Sequence, residues 1–273
     1  MEAPLNFARY RIKPGSRPDL ASRDPSAENG FPASREERLA RSAELAVKVD
    51  ALQDLLYAEH VHKILIVLQG MDTSGKDGTI RHVFAEVDPL GVRAISFRAP
   101  AGEELEHGYL WRVHRRVPGK GEIVIFNRSH YEDVLITRVH QWIDKAECER
   151  RYEQINDFER MLSETGTTIL KFFLHISKEE QRSRLQARLD DPAKRWKFNP
   201  RDLEERKKWD AYMQAYEDAI AATSSEWAPW YVVPSDSKST RNLLVSSILI
   251  DTLEGLKMKL PTPAEDYSKI VVS

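Results

Sequence analysis

Residues 64–80 read I-L-I-V-L-Q-G-M-D-T-S-G-K-D-G-T-I. An unbroken apolar run from Ile64 to Leu68 stops at Gly70, crosses a short polar turn and resumes with helical spacing at Lys76. This is the pattern of a buried strand, a phosphate loop and a helix. Gly70 and Gly75 bracket four residues ahead of Lys76, a spacing that lets backbone N–H groups curl round a phosphate while the lysine reaches its outer oxygens. The helix N-terminus adds its positive end. Gly70, Thr73, Ser74, Gly75, Asp77, Gly78 and Thr79 are therefore the candidate phosphate and nucleotide cradle.

The loop departs from the common pattern at Asp77, which stands where a Ser or Thr hydroxyl would normally meet Mg²⁺. A second carboxylate, Asp72, lies inside the loop. Negative charge beside a polyanion is unfavourable unless a divalent cation sits between them, so the two aspartates point to Mg²⁺, with Mn²⁺ as a substitute.

Downstream, apolar runs at Val92 to Phe97, Ile123 to Phe126, Thr168 to His175 and Pro229 to Val233 read as four more strands. Helical patterns separate them: Thr79 to Val87, Ala101 to Val117, Ala146 to Ser163, Ser177 to Asp190 and Arg241 to Lys257. Upstream, Ser34 and Glu37 form a capping box that opens a long helix whose apolar face is Leu39, Ala43, Ala46, Val49, Leu52 and Leu56. Strands alternating with helices give a doubly wound parallel sheet in an α/β domain. Residues 1–32, broken by five prolines, form an arm on the body or on a neighbouring subunit.

An open parallel sheet binds ligands at the carboxyl ends of its strands. There the third strand runs into Asn127-Arg128-Ser129-His130-Tyr131-Glu132-Asp133. Arg128 can grip a phosphate bidentately; Asn127, Glu132 and Asp133, with Asp72, are the candidate metal ligands. Residues 178–208 carry eleven basic against seven acidic side chains, in a chain whose formal net charge is -2. Two helices joined by a basic loop between the last two strands describe a lid, since phosphoryl transfer needs water excluded and positive charge closed over the moving group. Arg184 and Arg188, one helical turn apart, can share a ligand there. Trp209, Met213, Tyr216 and Ile220 form a core stripe rather than a base-stacking platform.

The eight histidines have no metal spacing, and the one cysteine, Cys148, has no partner for a disulfide. With no leader-like or membrane-length apolar segment, the expected setting is the cytoplasm, with neither membrane nor nucleic acid as a partner.

Three stretches in order, G-M-D-T-S-G-K-D-G-T, F-N-R-S-H-Y-E-D-V-L and R-L-D-D-P-A-K-R-W-K-F-N-P-R-D, closely resemble the polyphosphate kinase 2 family, and the likeness extends from about Tyr10 to the C-terminus. It implies one P-loop kinase-like three-layer α/β/α domain over 1–273, with a five-stranded parallel sheet, an arm at 1–32 and a helical lid at 178–208. It also implies transfer of the terminal phosphoryl group of inorganic polyphosphate to adenine, and secondarily guanine, nucleotides with Mg²⁺, in a homo-oligomer. Carried onto this sequence, Asp72, Lys76, Arg128 and Arg188 are catalytic, and Lys194 and Lys197 add lid contacts. Many members begin the strand-end motif with Asp and have Asn where Glu132 stands. Asn127 with Glu132 resembles the subgroup that phosphorylates both AMP and ADP. Arg81, Arg93, Arg112, Arg115, Arg116 and Lys120 are candidates for a channel holding the long donor chain. The alternatives are an ATP-dependent nucleoside monophosphate kinase and a P-loop protein that binds nucleotide without turnover.

Overall fold

The computed structural model describes residues 7–263; residues 1–6 of the arm and 264–273 of the tail lie outside them. In chain order the elements are α1 (Arg35–Glu59), β1 (Lys63–Gln69), α2 (Lys76–Val83), β2 (Val92–Ser96), α3 (Trp111–His114), β3 (Ile123–Asn127), α4 (Ile136–Val139), α5 (Lys145–Glu164), β4 (Thr167–His175), α6 (Lys178–Asp190), α7 (Arg201–Lys207), α8 (Trp209–Thr223), β5 (Trp230–Pro234) and α9 (Lys238–Gly255). The strands pair in parallel in the order β2-β3-β1-β4-β5. This is the expected three-layer α/β/α sheet of five strands.

The apolar run of β1 is buried on both faces because side chains alternate along a strand. Leu65 and Val67 join one core with Val124, Phe126, Phe173 and residues of α5 and α8. Ile64, Ile66 and Leu68 join the other, with Ile123, Ile125, Phe172 and residues of α1 and α9. The stripe Trp209, Tyr216 and Ile220 lies in the first core, with Met213 packed against it.

The capping box at Ser34 and Glu37 forms as expected. The buried face of α1, however, is Arg38, Ser42, Leu45, Ala46, Val49, Gln53 and Leu56, while Ala43 is exposed. The polar members earn burial by hydrogen bonding: Gln53 donates to Leu90 O at 2.8 Å, and Arg38 donates to Pro32 O at 2.8 Å and Ser239 Oγ at 3.1 Å.

The helix expected over Ala101 to Val117 is instead a 3₁₀ turn at Gly102–Leu105 and the four residues of α3. Gly102 at φ 56° and the nearby Gly108 break it, since glycine is the poorest helix former after proline. Helix α2 starts at Lys76 and ends at Val83, short of Val87.

The arm lies on the body. Ile12 N donates to Trp230 O and Val232 N to Tyr10 O, both at 2.9 Å, so the arm covers the free edge of β5.

Candidate active site

Register brings the site together. Leu68 of β1 faces Asn127 of β3, so the loop after β1 and the turn after β3 emerge side by side at the carboxyl end of the sheet. Gly70 at φ 147° and Gly75 at φ 110° make the turn, in conformations side-chain-bearing residues rarely adopt. A Cβ on Gly70 would lie 2.7 Å from Leu174 O, and one on Gly75 only 1.8 Å from the guanidinium of Arg241.

The carbonyls of the loop are held from behind. Gln181 donates to Asp72 O at 3.1 Å, Arg184 to Thr73 O at 3.0 Å, and Arg241 to Ser74 O at 3.2 Å. With those carbonyls occupied, the amides of the loop and of the first turn of α2 are the groups a phosphate meets. Arg241 is buried, and desolvation, then Arg184, pushes its pKa down to about 9.

Lys76 is buried at the start of α2 and donates to Gly70 O at 2.6 Å and Met71 O at 3.2 Å. Burial, and then the charge of Arg128, pushes its amine down from 10.5 to about 8. Asp72, Glu132 and Asp77 oppose this without cancelling it, so a bound anion would stabilise the charged amine further. Arg128, left-handed at φ 60°, ion-pairs with Asp72 at 2.5 Å and lies 3.8 Å from Glu132. Glu132, and then Asp72 against the opposing effect of burial, raises the Arg128 pKa, so it is a permanent cation. Asn127 donates its amide to Asp77 at 2.5 Å.

A buried polar network carries the turn after β3. The carboxylate of Glu159 on α5 accepts from Lys171 of β4 at 2.5 Å and from Tyr131 Oη at 2.9 Å, with His130 Nε2 at 3.1 Å. Burial alone would push the Glu159 pKa up, but Lys171 and His130 outweigh it and hold the carboxyl below its ordinary range. Because His130 and Tyr131 stand two and three residues after Arg128, this network sets where the arginine is presented.

On α6, Arg188 stands 3.8 Å from Asp202 on α7 and 3.5 Å from Lys197 O. Burial, and then the charge of Asp72, pushes Asp202 up to about 6. The site thus gathers Asp72, Glu132 and Asp202 among Lys76, Arg128 and Arg188.

Residues 32–261 match the sequence model of Polyphosphate kinase 2 (PPK2). The chain belongs to the polyphosphate kinase 2 family. It is 55% identical over 264 residues to an AMP/ADP-polyphosphate phosphotransferase of Meiothermus ruber, covering 97% of this chain and 99% of that protein. It is 44% identical over 274 residues to an ADP-polyphosphate phosphotransferase of Rhodopseudomonas palustris, covering 95% and 94%. The crystal structure of polyphosphate kinase 2 from Arthrobacter aurescens TC1 superposes with a TM-score of 0.92 at 44% identity, over 97% of this chain and 96% of that one.

Against that family frame, several expected residues fall elsewhere. Asp133 pairs with Arg112 at 3.8 Å rather than with Asp72, and burial pushes it up to about 6 against the pull of Arg112 and Arg151. Arg184 and Arg188 do not share a ligand: the first grips the loop from behind and the second faces Asp202. Lys194 pairs with Asp191 at 2.6 Å on the surface beyond α6, and Lys197 lies over the Trp196 ring at 5.0 Å.

Of the six channel candidates, three line one cleft. Arg112, Arg115 and Arg116 line a cleft of ≈ 380 Å³ with Trp111 and Glu104. Arg93, held by Glu122 at 2.8 Å, and Lys120 stand at the amino end of β2 and β3. That is a strand length, roughly 15 Å, from the loop. Arg81 is exposed on the last turn of α2.

Asp202, Gln181 and Arg241 escaped the sequence reading, since nothing in their spacing sets them apart from solvated helix residues. Among the described residues no three His, Cys, Asp or Glu side chains converge as a ready-made metal cage. The oxygen donors present suit Mg²⁺, which is usually held by one or two carboxylates with substrate phosphates and water completing the shell.

Proposed function

We propose that this chain moves the terminal phosphoryl group of inorganic polyphosphate to AMP and to ADP, giving ADP and ATP reversibly, as a homo-oligomer in the cytoplasm. The observation that carries the reading is the arrangement of Asp72 and Glu132 about Arg128, beside a loop whose lysine is buried with its amine pushed down by desolvation. The Meiothermus ruber relative, matched over almost its whole length, carries both acceptors in its name.

In the transfer, an oxygen of the acceptor's terminal phosphate attacks the end phosphorus of the chain. The bridging P–O bond breaks, and the electron pair leaves with the chain shortened by one unit. The acceptor oxygen is already anionic at neutral pH, so no strong general base is needed. Loop amides from Gly70 to Thr79 cradle phosphate, Lys76 and Arg128 stabilise charge on the transferring group, and Arg188 adds charge when the lid closes. Asp72, Glu132 and the amide oxygen of Asn127 are the groups that would hold Mg²⁺ or Mn²⁺. The ion would screen the repulsion between the two polyanions. Glu132 places carboxylate charge one turn beyond the strand end, the feature we connect with acceptance of phosphate chains of two lengths.

The test is nucleotide production, resolved by chromatography, from AMP and separately from ADP, with long-chain polyphosphate and Mg²⁺ but no ATP. ADP and ATP from AMP are expected, with a blank polyphosphate-free control. Turnover of AMP only when ATP is supplied would establish an ATP-dependent monophosphate kinase instead. Glu132→Asn should shift the AMP to ADP rate ratio several-fold; an unchanged ratio would sink its role in acceptor choice.

A further inference from the structure

Behind the phosphate loop lies a cleft of ≈ 470 Å³ that the transfer reaction does not use. It is lined by Arg35 and Arg38 at the start of α1, His82 at the end of α2, and Asp236, Lys238 and Asn242 around the start of α9. Arg241 separates it from the loop, with one face against Ser74 O.

Its positive charge is not internally neutralised. Burial first, then the cations Arg184 and Arg241, lower the Lys238 pKa; Glu180 opposes them and Lys194 adds to them. His82 Nε2 is buried without a hydrogen-bond partner. Asn242 gives its carbonyl oxygen to Arg241 at 3.1 and 2.9 Å, which leaves its NH₂ for the cleft. Arg35 is exposed at the mouth. Arg38 forms the wall, held by Pro32 O, Ala33 O and Glu28. The carboxylate in the lining, Asp236, already accepts from Ser177 N at 2.8 Å. The first turn of the 18-residue α9 adds amide dipoles of the same sign.

Unpaired donors of at least three kinds, a net positive lining and room for several oxyanion groups describe a receptor for a phosphate anion. We infer that this cleft is a second binding site for inorganic phosphate groups, distinct from the loop and one guanidinium away from it. Two sources share that chemistry: the part of a long donor chain remote from the reacting end, which rests on the polyphosphate reading above, and free orthophosphate.

Equilibrium dialysis of the full chain with long-chain polyphosphate, tripolyphosphate and orthophosphate separates them. The variant is Arg35→Gln with Lys238→Gln, both solvent-exposed; the control removes the same charge from α5 with Lys145→Gln and Arg160→Gln. If the cleft holds the remote chain, the cleft variant binds long-chain polyphosphate about tenfold more weakly, with tripolyphosphate within about twofold and the control unchanged. If it holds free phosphate, orthophosphate binding is lost and long-chain affinity stays. A cleft variant that binds all three like the wild type, or a control that loses as much, overturns the inference. A wild-type chain that binds long-chain polyphosphate through the cleft but transfers nothing would sink the proposed function and leave this site standing.

Discussion

Lys76 is protonated at neutral pH although burial and Arg128 pull its amine down to about 8. The charged form is what a phosphate meets, and kcat/KM reports the free enzyme, so kcat/KM for polyphosphate should fall as pH rises through about 8. Bound phosphate restores the lysine pKa upward, so kcat should stay flat to higher pH. Lys76→Arg should remove the fall, and Lys76→Met should cost roughly 10²–10³-fold in kcat, the usual loss for one preorganised donor. A profile flat through pH 9, or a methionine variant near wild type, would show that Lys76 is not the phosphate cation. Asp133 offers a contrary case, because its folded pKa is raised from 3.8 to about 6, by burial against the pull of Arg112 and Arg151. Between those two values the folded chain holds a proton that the unfolded chain releases. Stability therefore falls as pH rises through this window, and the full cost is present at neutral pH. Thermal melts should show Asp133→Asn more stable than wild type above pH 6, with the gain vanishing near pH 4.

Among the elements, β4 and α5 carry a buried ion pair whose use is to hold the turn after β3. Removing one partner leaves the other charge buried and unpaired, so Lys171→Met or Glu159→Leu should each lower stability by about 3–5 kcal/mol in chemical denaturation. Replacing both together should recover most of that loss while leaving the turn less fixed, seen as reduced kcat with near-normal melting. Stability losses that simply add would show that the two residues do not act as a pair. This network also marks where sequence reading runs out. The strands were legible because apolar runs such as 64–68 and 123–126 have no polar register to confuse, and the loop because Gly70, Gly75 and Lys76 have a spacing with one mechanical use. Lys171, by contrast, stands inside an apolar run as a residue type that is rarely buried, and only its three-dimensional neighbours explain it. Arg241 likewise reads as a solvated helix position and Arg184 as a ligand-sharing partner of Arg188, because what they bind is backbone of a loop more than 100 residues away in sequence for Arg184 and more than 160 for Arg241. The segment 101–117 misled for the opposite reason: its apolar spacing is helical, but Gly102 and Gly108 decide the backbone.

At the scale of the whole molecule, a chain of formal net charge -2 is proposed to bring two polyanions together, so its cations must be local and movable. The P-loop and the turn after β3 are fixed by the sheet, whereas Arg188 and Asp202 come from α6 and α7, between β4 and β5 in the chain. Arg188 is held only loosely, 3.8 Å from Asp202 and 3.5 Å from Lys197 O, both beyond the length of a strong charge-assisted bond. Such a guanidinium is free to exchange these contacts for a phosphate in the closure proposed for the lid. Asp202 would then be left beside Asp72, a like charge that already helps push it up to about 6, so closure favours its protonated form unless a cation lies between them. If Arg188 acts only in the closed state, its loss removes stabilisation from the transition state and little from ground-state binding. Arg188→Lys keeps the charge but loses the bidentate fork, and should lower kcat at least about tenfold while KM for both substrates stays within about threefold. Steady-state kinetics with AMP and long-chain polyphosphate decides the matter. A rise in KM with kcat intact would make Arg188 an anchor of the open state rather than a group brought in by the lid.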